Sequence, residues 1–142
     1  MIITRKVEFS ASHVCRAAGL SDEENLRLYG SASNPRGHGH NYVVEVSARG
    51  PLDGNGHAVS VALLDELVGQ QVLTPFDHRN LNTEVPCFAK EVPTSENLAR
   101  EICRRLKQNW SAVFPGEWPK LERIRVGETP KNTFEIGADE IE

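Results

Sequence analysis

Three of the five histidines stand where they could share a metal ion. His38 and His40 flank Gly39, and residues two apart on extended backbone project to the same side. His13 closes a stretch in which Val7, Phe9, Ala11 and His13 alternate with Lys6, Glu8 and Ser10, which places its imidazole on an otherwise apolar face. Gly39 leaves room for a second chain segment or a ligand to come close. Zinc takes three protein nitrogens at roughly 2.0 to 2.1 Å and keeps a fourth position open when it is catalytic, whereas calcium and magnesium prefer oxygen. A bare His-x-His is equally compatible with loop histidines that only hydrogen-bond, so spacing alone leaves both readings open.

Several elements must position these side chains. Ile3 to His13 reads as a strand, and Ser21 caps a short helix whose first turn holds Asp22, Glu23 and Glu24 and which ends at Gly30. Gly30 to Gly39 is loop-like, and His40 to Arg49 is a second strand rich in β-branched residues. The stretch from Gly50 to His57 reads as a turn joining two elements. Ser60 starts a helix with Val61, Leu64, Leu67, Val68 and Val72 on one face, which Pro75 is expected to end. Leu98, Ile102, Leu106 and Trp110 repeat every fourth residue on a second helix that begins near Thr94. Ile124 and Val126 alternate with Arg123 and Arg125 on a third strand, and Thr129-Pro130-Lys131-Asn132 turns into a fourth, Thr133 to Ile136. The simplest α+β arrangement that buries both helical stripes is a four-stranded antiparallel sheet with two helices on one face, in the order ββααββ.

The chain has 142 residues, 39% of them hydrophobic, which fits one globular domain spanning 1–142. Sixteen Lys and Arg against 20 Asp and Glu give a net charge of -4. No basic run exceeds two residues, so no nucleic-acid partner is expected. No apolar stretch approaches a membrane span and no signal peptide opens the chain, so a cytoplasmic protein is expected. An odd set of three cysteines, Cys15, Cys87 and Cys103, argues for free thiols over a disulfide framework.

Phe9-Ser10-Ala11-Ser12-His13, then Leu20 to Leu26, then Asn34-Pro35-Arg36-Gly37-His38-Gly39-His40-Asn41-Tyr42, resembles the zinc-binding core of the 6-pyruvoyltetrahydropterin synthase family. The likeness continues in order through Pro75-Phe76-Asp77-His78-Arg79-Asn80-Leu81, Thr94-Ser95-Glu96-Asn97 and Val126-Gly127-Glu128-Thr129. It implies the tunnelling fold, in which subunit sheets join into a barrel, typically as a homohexamer. It implies zinc on His13, His38 and His40, and a pterin substrate, 7,8-dihydroneopterin triphosphate. Triphosphate is eliminated and hydrogens are redistributed to give 6-pyruvoyltetrahydropterin, with no external redox cofactor. By the same resemblance Asp77 and His78 form a proton relay, Glu128 anchors the pterin ring, and Thr94, Ser95 and Glu96 are further pterin contacts.

One position departs from that pattern. The family base is a cysteine six residues before the first histidine of His-x-His, and that position here is Ala32. A methyl group takes no proton, and neighbouring Ser31 and Ser33 supply no carboxylate for the aldolase-like branch. Cys103 reads as core, Cys87 as an inert loop thiol, and Cys15 faces the site if the first strand runs past His13, where it could act as base or fourth ligand. Two alternatives to the pyruvoyl-forming lyase remain at this level: a 6-carboxytetrahydropterin synthase of deazaguanine synthesis, and a non-catalytic pterin-binding homologue.

Overall fold

The computed structural model describes Met1–Ile141. Its spine is a pair of twelve-residue strands, β1 (Ile2–His13) and β2 (His38–Arg49), antiparallel from Ile2 opposite Arg49 to His13 opposite His38. Alternation gives one face to Phe9, Ala11 and His13 on β1 and to Tyr42, Val44 and Val46 on β2, all buried. β4 (Lys120–Thr129) lies along β2, and β5 (Asn132–Gly137) closes the far edge. Ile124 and Val126 extend the buried face.

The sheet differs from the expected four antiparallel strands. A fifth, β3 (Arg79–Asn80), runs parallel to β1, so the sheet is mixed, in the order β3-β1-β2-β4-β5. The Ser10 N–H donates to the Asp77 carboxylate at 3.0 Å, and the His78 N–H donates to the Ser10 carbonyl at 2.6 Å. These bonds pull the chain against the free edge of β1. A two-residue strand is too short to carry a period-2 signature, so sequence pattern could not show it.

α2 (Val61–Val68) and α5 (Ser95–Val113) cover the apolar face, with Leu64, Leu67, Val68, Leu98, Ile102 and Leu106 packed into a shared core with Phe9, Tyr42 and Ile124. The other face is polar, crossed by the Thr4–Ser47 and Ser10–Asn41 hydrogen bonds and by the Glu45–Arg125–Glu135 ion pairs. Ser60 caps α2 as expected, but Pro75 does not end the helical run. After Val68 the coil widens into a π-turn over Gly69–Leu73 and continues through α3 (Thr74–Phe76). Widening the turn removes the clash between the proline ring and the carbonyl four residues earlier. Two short helices complete the chain: α1 (Asp22–Tyr29), with a Ser21–Glu24 capping box, and α4 (Leu81–Glu84), capped by Asn80.

Ile102 is fully buried near the middle of α5, inside the shared core. Ile102→Ala is expected to cost about 2 to 5 kcal/mol of unfolding free energy, seen as a lower urea midpoint with an unchanged slope.

Candidate metal centre

The β1–β2 register assembles the histidines. His13 stands opposite His38, Ala11 opposite His40 and Phe9 opposite Tyr42, so all three imidazoles leave the sheet on the face that carries the core. β2 begins at His38 rather than His40, which places both residues of the His-x-His pair on regular extended backbone. The glycine that permits this is Gly37. It has φ +73, and a Cβ there would stand 3.0 Å from the His13 carbonyl oxygen and 3.1 Å from Val14. Gly39, expected to allow a close approach, has only the Ala11 carbonyl nearby, at 3.6 Å.

The ligand atoms of His13, His38 and His40 all lie within 4.8 Å of one another. The Nε2 atoms of His13 and His38 are 3.2 Å apart, and His40 Nε2 is buried with no hydrogen-bond partner. Buried polar atoms are normally satisfied, and His40 Nε2, which has no hydrogen bond of good geometry although the Glu128 carboxylate stands 3.3 Å away, suits coordination to a cation alongside the other two imidazoles. On the far side of the His13 ring, Nδ1 is 2.8 Å from the Pro93 carbonyl. Only a protonated Nδ1 can donate to that oxygen, which leaves the Nε2 lone pair facing the cluster, the arrangement that orients metal-binding imidazoles. The Tyr42 hydroxyl lies 3.3 Å from the same Nδ1. Burial holds His13 and His40 below the usual histidine range, outweighing the pull of Glu128, so both favour the neutral form that binds metals. Three convergent imidazoles, two of them favoured in the neutral form by burial and one with a locked tautomer, fit zinc.

Glu128 sits at an irregularity of the β4–β5 pairing, where the register shifts between Gly127 and Thr129. Its carboxylate does not stand out in solvent as an ordinary strand-end charge would. With its side chain 20% exposed, it reaches to 3.3 Å from His40 Nε2 and 3.6 Å from His13 Nε2.

Asp77 and His78 stand elsewhere. His78 has φ +59 and an 82% exposed side chain, with Nδ1 3.0 Å from the Asp77 carboxylate. The Ser10 N–H, and to a lesser degree His78, hold Asp77 below the usual carboxylate range, so it stays ionised beside the imidazole. Among the described residues no hydrogen bond or ion pair joins this pair to the histidine cluster. Both groups approach one cleft of about 560 Å³ along the β1–β3 edge, lined by Ser12, His40, His78 and Arg79. Thr94 caps α5, its hydroxyl accepting from the Asn97 N–H at 3.2 Å. Ser95 is buried with its hydroxyl unpartnered, and Glu96 is exposed.

Ala32 is half-buried in the tight turn Gly30–Ser33, and its carbonyl accepts from the Cys15 N–H at 2.9 Å. β1 ends at His13, so Cys15 does not continue the strand face. Its sulfur lies 3.7 Å from His13 Nδ1, on the side of the ring away from the other histidines. Burial, followed by the charges of Glu128 and Glu96, pushes this thiol up to about 11, so the surroundings do not depress it. Cys87 and Cys103 are likewise pushed up to about 11, chiefly by burial.

Sequence reasoning missed two groups around His13. Tyr42 continues the two-residue period of His38 and His40, a signal that was present. The Pro93 carbonyl had none, because a backbone oxygen carries no residue type.

A sequence profile of the family described as 6-pyruvoyl tetrahydropterin synthase matches residues 2–139. The 6-pyruvoyl tetrahydrobiopterin synthase of Poecilia reticulata is 43% identical over 131 residues, covering 92% of this chain and 85% of the fish protein. Its Homo sapiens counterpart is 40% identical over 131 residues, covering 92% of this chain and 86% of its own. The solved structure of Caenorhabditis elegans 6-pyruvoyl tetrahydropterin synthase superposes with a TM-score of 0.87 at 36% identity, covering 96% of this chain and 94% of that one.

Proposed function

Because the chain belongs to the 6-pyruvoyl tetrahydropterin synthase family, we propose that it is a zinc-dependent lyase that takes 7,8-dihydroneopterin triphosphate to 6-pyruvoyltetrahydropterin and triphosphate. The observation that carries this reading is the convergence of His13, His38 and His40, whose ligand atoms all lie within 4.8 Å of one another. A zinc ion held there supplies a Lewis acid that stabilises negative charge developing on side-chain oxygens of the substrate.

The protein's own groups do the rest. The Pro93 carbonyl holds His13 in its tautomer, with the Tyr42 hydroxyl beside the same nitrogen. Glu128 accepts hydrogen bonds from the amino and ring N–H groups of the pterin, and the N-terminal turn of α5, with Thr94, Ser95 and Glu96, flanks the ring. Asp77 stays ionised and orients the His78 imidazole, so His78 can pass a proton to or from the substrate side chain. Its 82% exposure on a sheet edge, in the cleft that His40 also lines but with no hydrogen bond or ion pair to the histidine cluster among the described residues, suits a relay serving a site completed by a second copy of the chain. That requirement agrees with a homo-oligomer, a hexamer of single-domain chains in the cytoplasm.

A second reading rests on Ala32, which supplies no base: a non-catalytic pterin-binding protein built on the same centre.

Glu128→Ala tests the pterin anchor. Its carboxylate is partly exposed and outside the core, so the melting temperature should move little, within about 0.5 kcal/mol of stability. Dihydroneopterin binding, followed by fluorescence titration, should be abolished. A variant that binds as tightly as its parent would refute the assignment.

A further inference from the structure

A carboxylate assigned to hold a pterin ring should point at the space the ring fills, yet Glu128 points at the histidines. Its oxygen is 3.3 Å from His40 Nε2 and 3.6 Å from His13 Nε2, while the Nε2 atoms of His13 and His38 are 3.2 Å apart. Four ligands at roughly 2.0 to 2.1 Å from one tetrahedral centre are separated by about 3.3 to 3.4 Å. These three separations lie within about 0.2 Å of such edges, and the three histidine ligand atoms as a group lie within 4.8 Å of one another, so small side-chain adjustments would close a tetrahedron around zinc. Its corners are the three nitrogens and one carboxylate oxygen.

We propose that Glu128 has two positions: in the resting chain it closes the metal centre as a fourth ligand, and when a pterin enters it exchanges the metal for the ring's N–H groups. The inference rests on the metal reading above and deepens it. Two features of the chain suit the exchange. Glu128 lies at the register shift between Gly127 and Thr129, where the ladder does not fix its backbone on both sides. It also borders a second cleft of about 580 Å³, with Glu45, Thr129 and Thr133 on its walls, so its side chain has open space on one side and the histidines on the other. A carboxylate that must leave the metal before it can hold the ring makes the vacated ligand position available only when substrate is present. Charge stays balanced, because one carboxylate moves between two partners and no proton is transferred.

The test uses the full chain, with zinc affinity measured by competition against a chromophoric chelator and coordination read from the visible spectrum of the cobalt(II) form. Glu128→Gln, which keeps the shape and removes the charge, should still take up one metal per chain but about tenfold or more weaker. Its cobalt absorption should fall in intensity as water replaces the carboxylate. The parent should show negative coupling with 7,8-dihydropterin, a ring without side-chain oxygens. Zinc should weaken its binding severalfold, and the ring should weaken zinc binding by the same factor. Equal zinc affinity and an unchanged cobalt spectrum in parent and Glu128→Gln overturn the ligand role. Independent binding of zinc and 7,8-dihydropterin in the parent overturns the exchange. A parent that takes up no zinc fails the metal reading itself, a result distinct from both.

Discussion

His38→Ala combined with His40→Ala is expected to abolish stoichiometric zinc binding while the fold survives. After exhaustive dialysis the parent should retain about one zinc per chain and the double variant close to none, because a single remaining imidazole does not hold zinc against water and buffer. His38 and His40 are only partly buried and lie at the start of β2, so their removal leaves the hydrophobic core intact. A ligand that binds only the folded chain stabilises it by about 2.7 kcal/mol at a hundredfold excess over its dissociation constant, so added zinc should raise the parent's melting temperature and leave the variant's unchanged. The pH dependence has a definite sign. Burial depresses His13 and His40, so their neutral form persists below the unperturbed histidine value of about 6.5, and zinc is lost only as acid protonates them. Metal retained further into acid than by exposed imidazoles is the expected profile. Equal zinc content in parent and double variant would sink the assignment.

The legible part of the fold and the site is the part that periodicity sets. The two-residue period carried His13, His38 and His40 to one face, because an antiparallel pair in register leaves side chains no other choice. The four-residue period of Leu98, Ile102 and Leu106 likewise marked the buried face of α5. Features that depend on backbone atoms were not legible. The Pro93 carbonyl that locks His13 and the two bonds from Ser10 that recruit β3 involve groups that every residue carries. Pro75 stands one residue before the end of the helical run: a proline forbids a regular α-turn, and the chain accommodates it by widening the turn before it. The sequence places Glu128 at a strand end, but its direction toward the imidazoles depends on local register, which sequence does not display. Asp77 and His78 show the remaining gap, since a single chain leaves them apart from the cluster and sequence says nothing of neighbouring copies.

Ala32→Cys is expected to raise lyase turnover by about 10²- to 10⁴-fold, the contribution of a positioned base in proton transfer. In the proposed reaction a bound metal would lower the barrier by stabilising charge, but a carbon-bound proton would still need an acceptor, and Ala32 offers a methyl group. The turn that holds this residue is built from backbone and hydroxyl contacts: the Cys15 N–H donates to the Ala32 carbonyl, and the Ser33 hydroxyl donates to the Gly30 carbonyl. Neither contact uses the Ala32 side chain, and the position is half-buried, so a thiol fits without disturbing them. The resident thiol is a poor substitute, since Cys15 lies behind His13 on its Nδ1 side and burial keeps it protonated. Pterin binding should be the same in both proteins, because neither Glu128 nor the histidines depend on position 32. Triphosphate release from 7,8-dihydroneopterin triphosphate, measured anaerobically on the zinc-loaded proteins side by side, reads the difference. Equal turnover in the two places the base elsewhere and makes Cys15→Ser the next variant to measure. Tight pterin binding with no turnover in either protein favours the non-catalytic reading, since a restored thiol beside an intact metal centre would then lack only the chemistry itself.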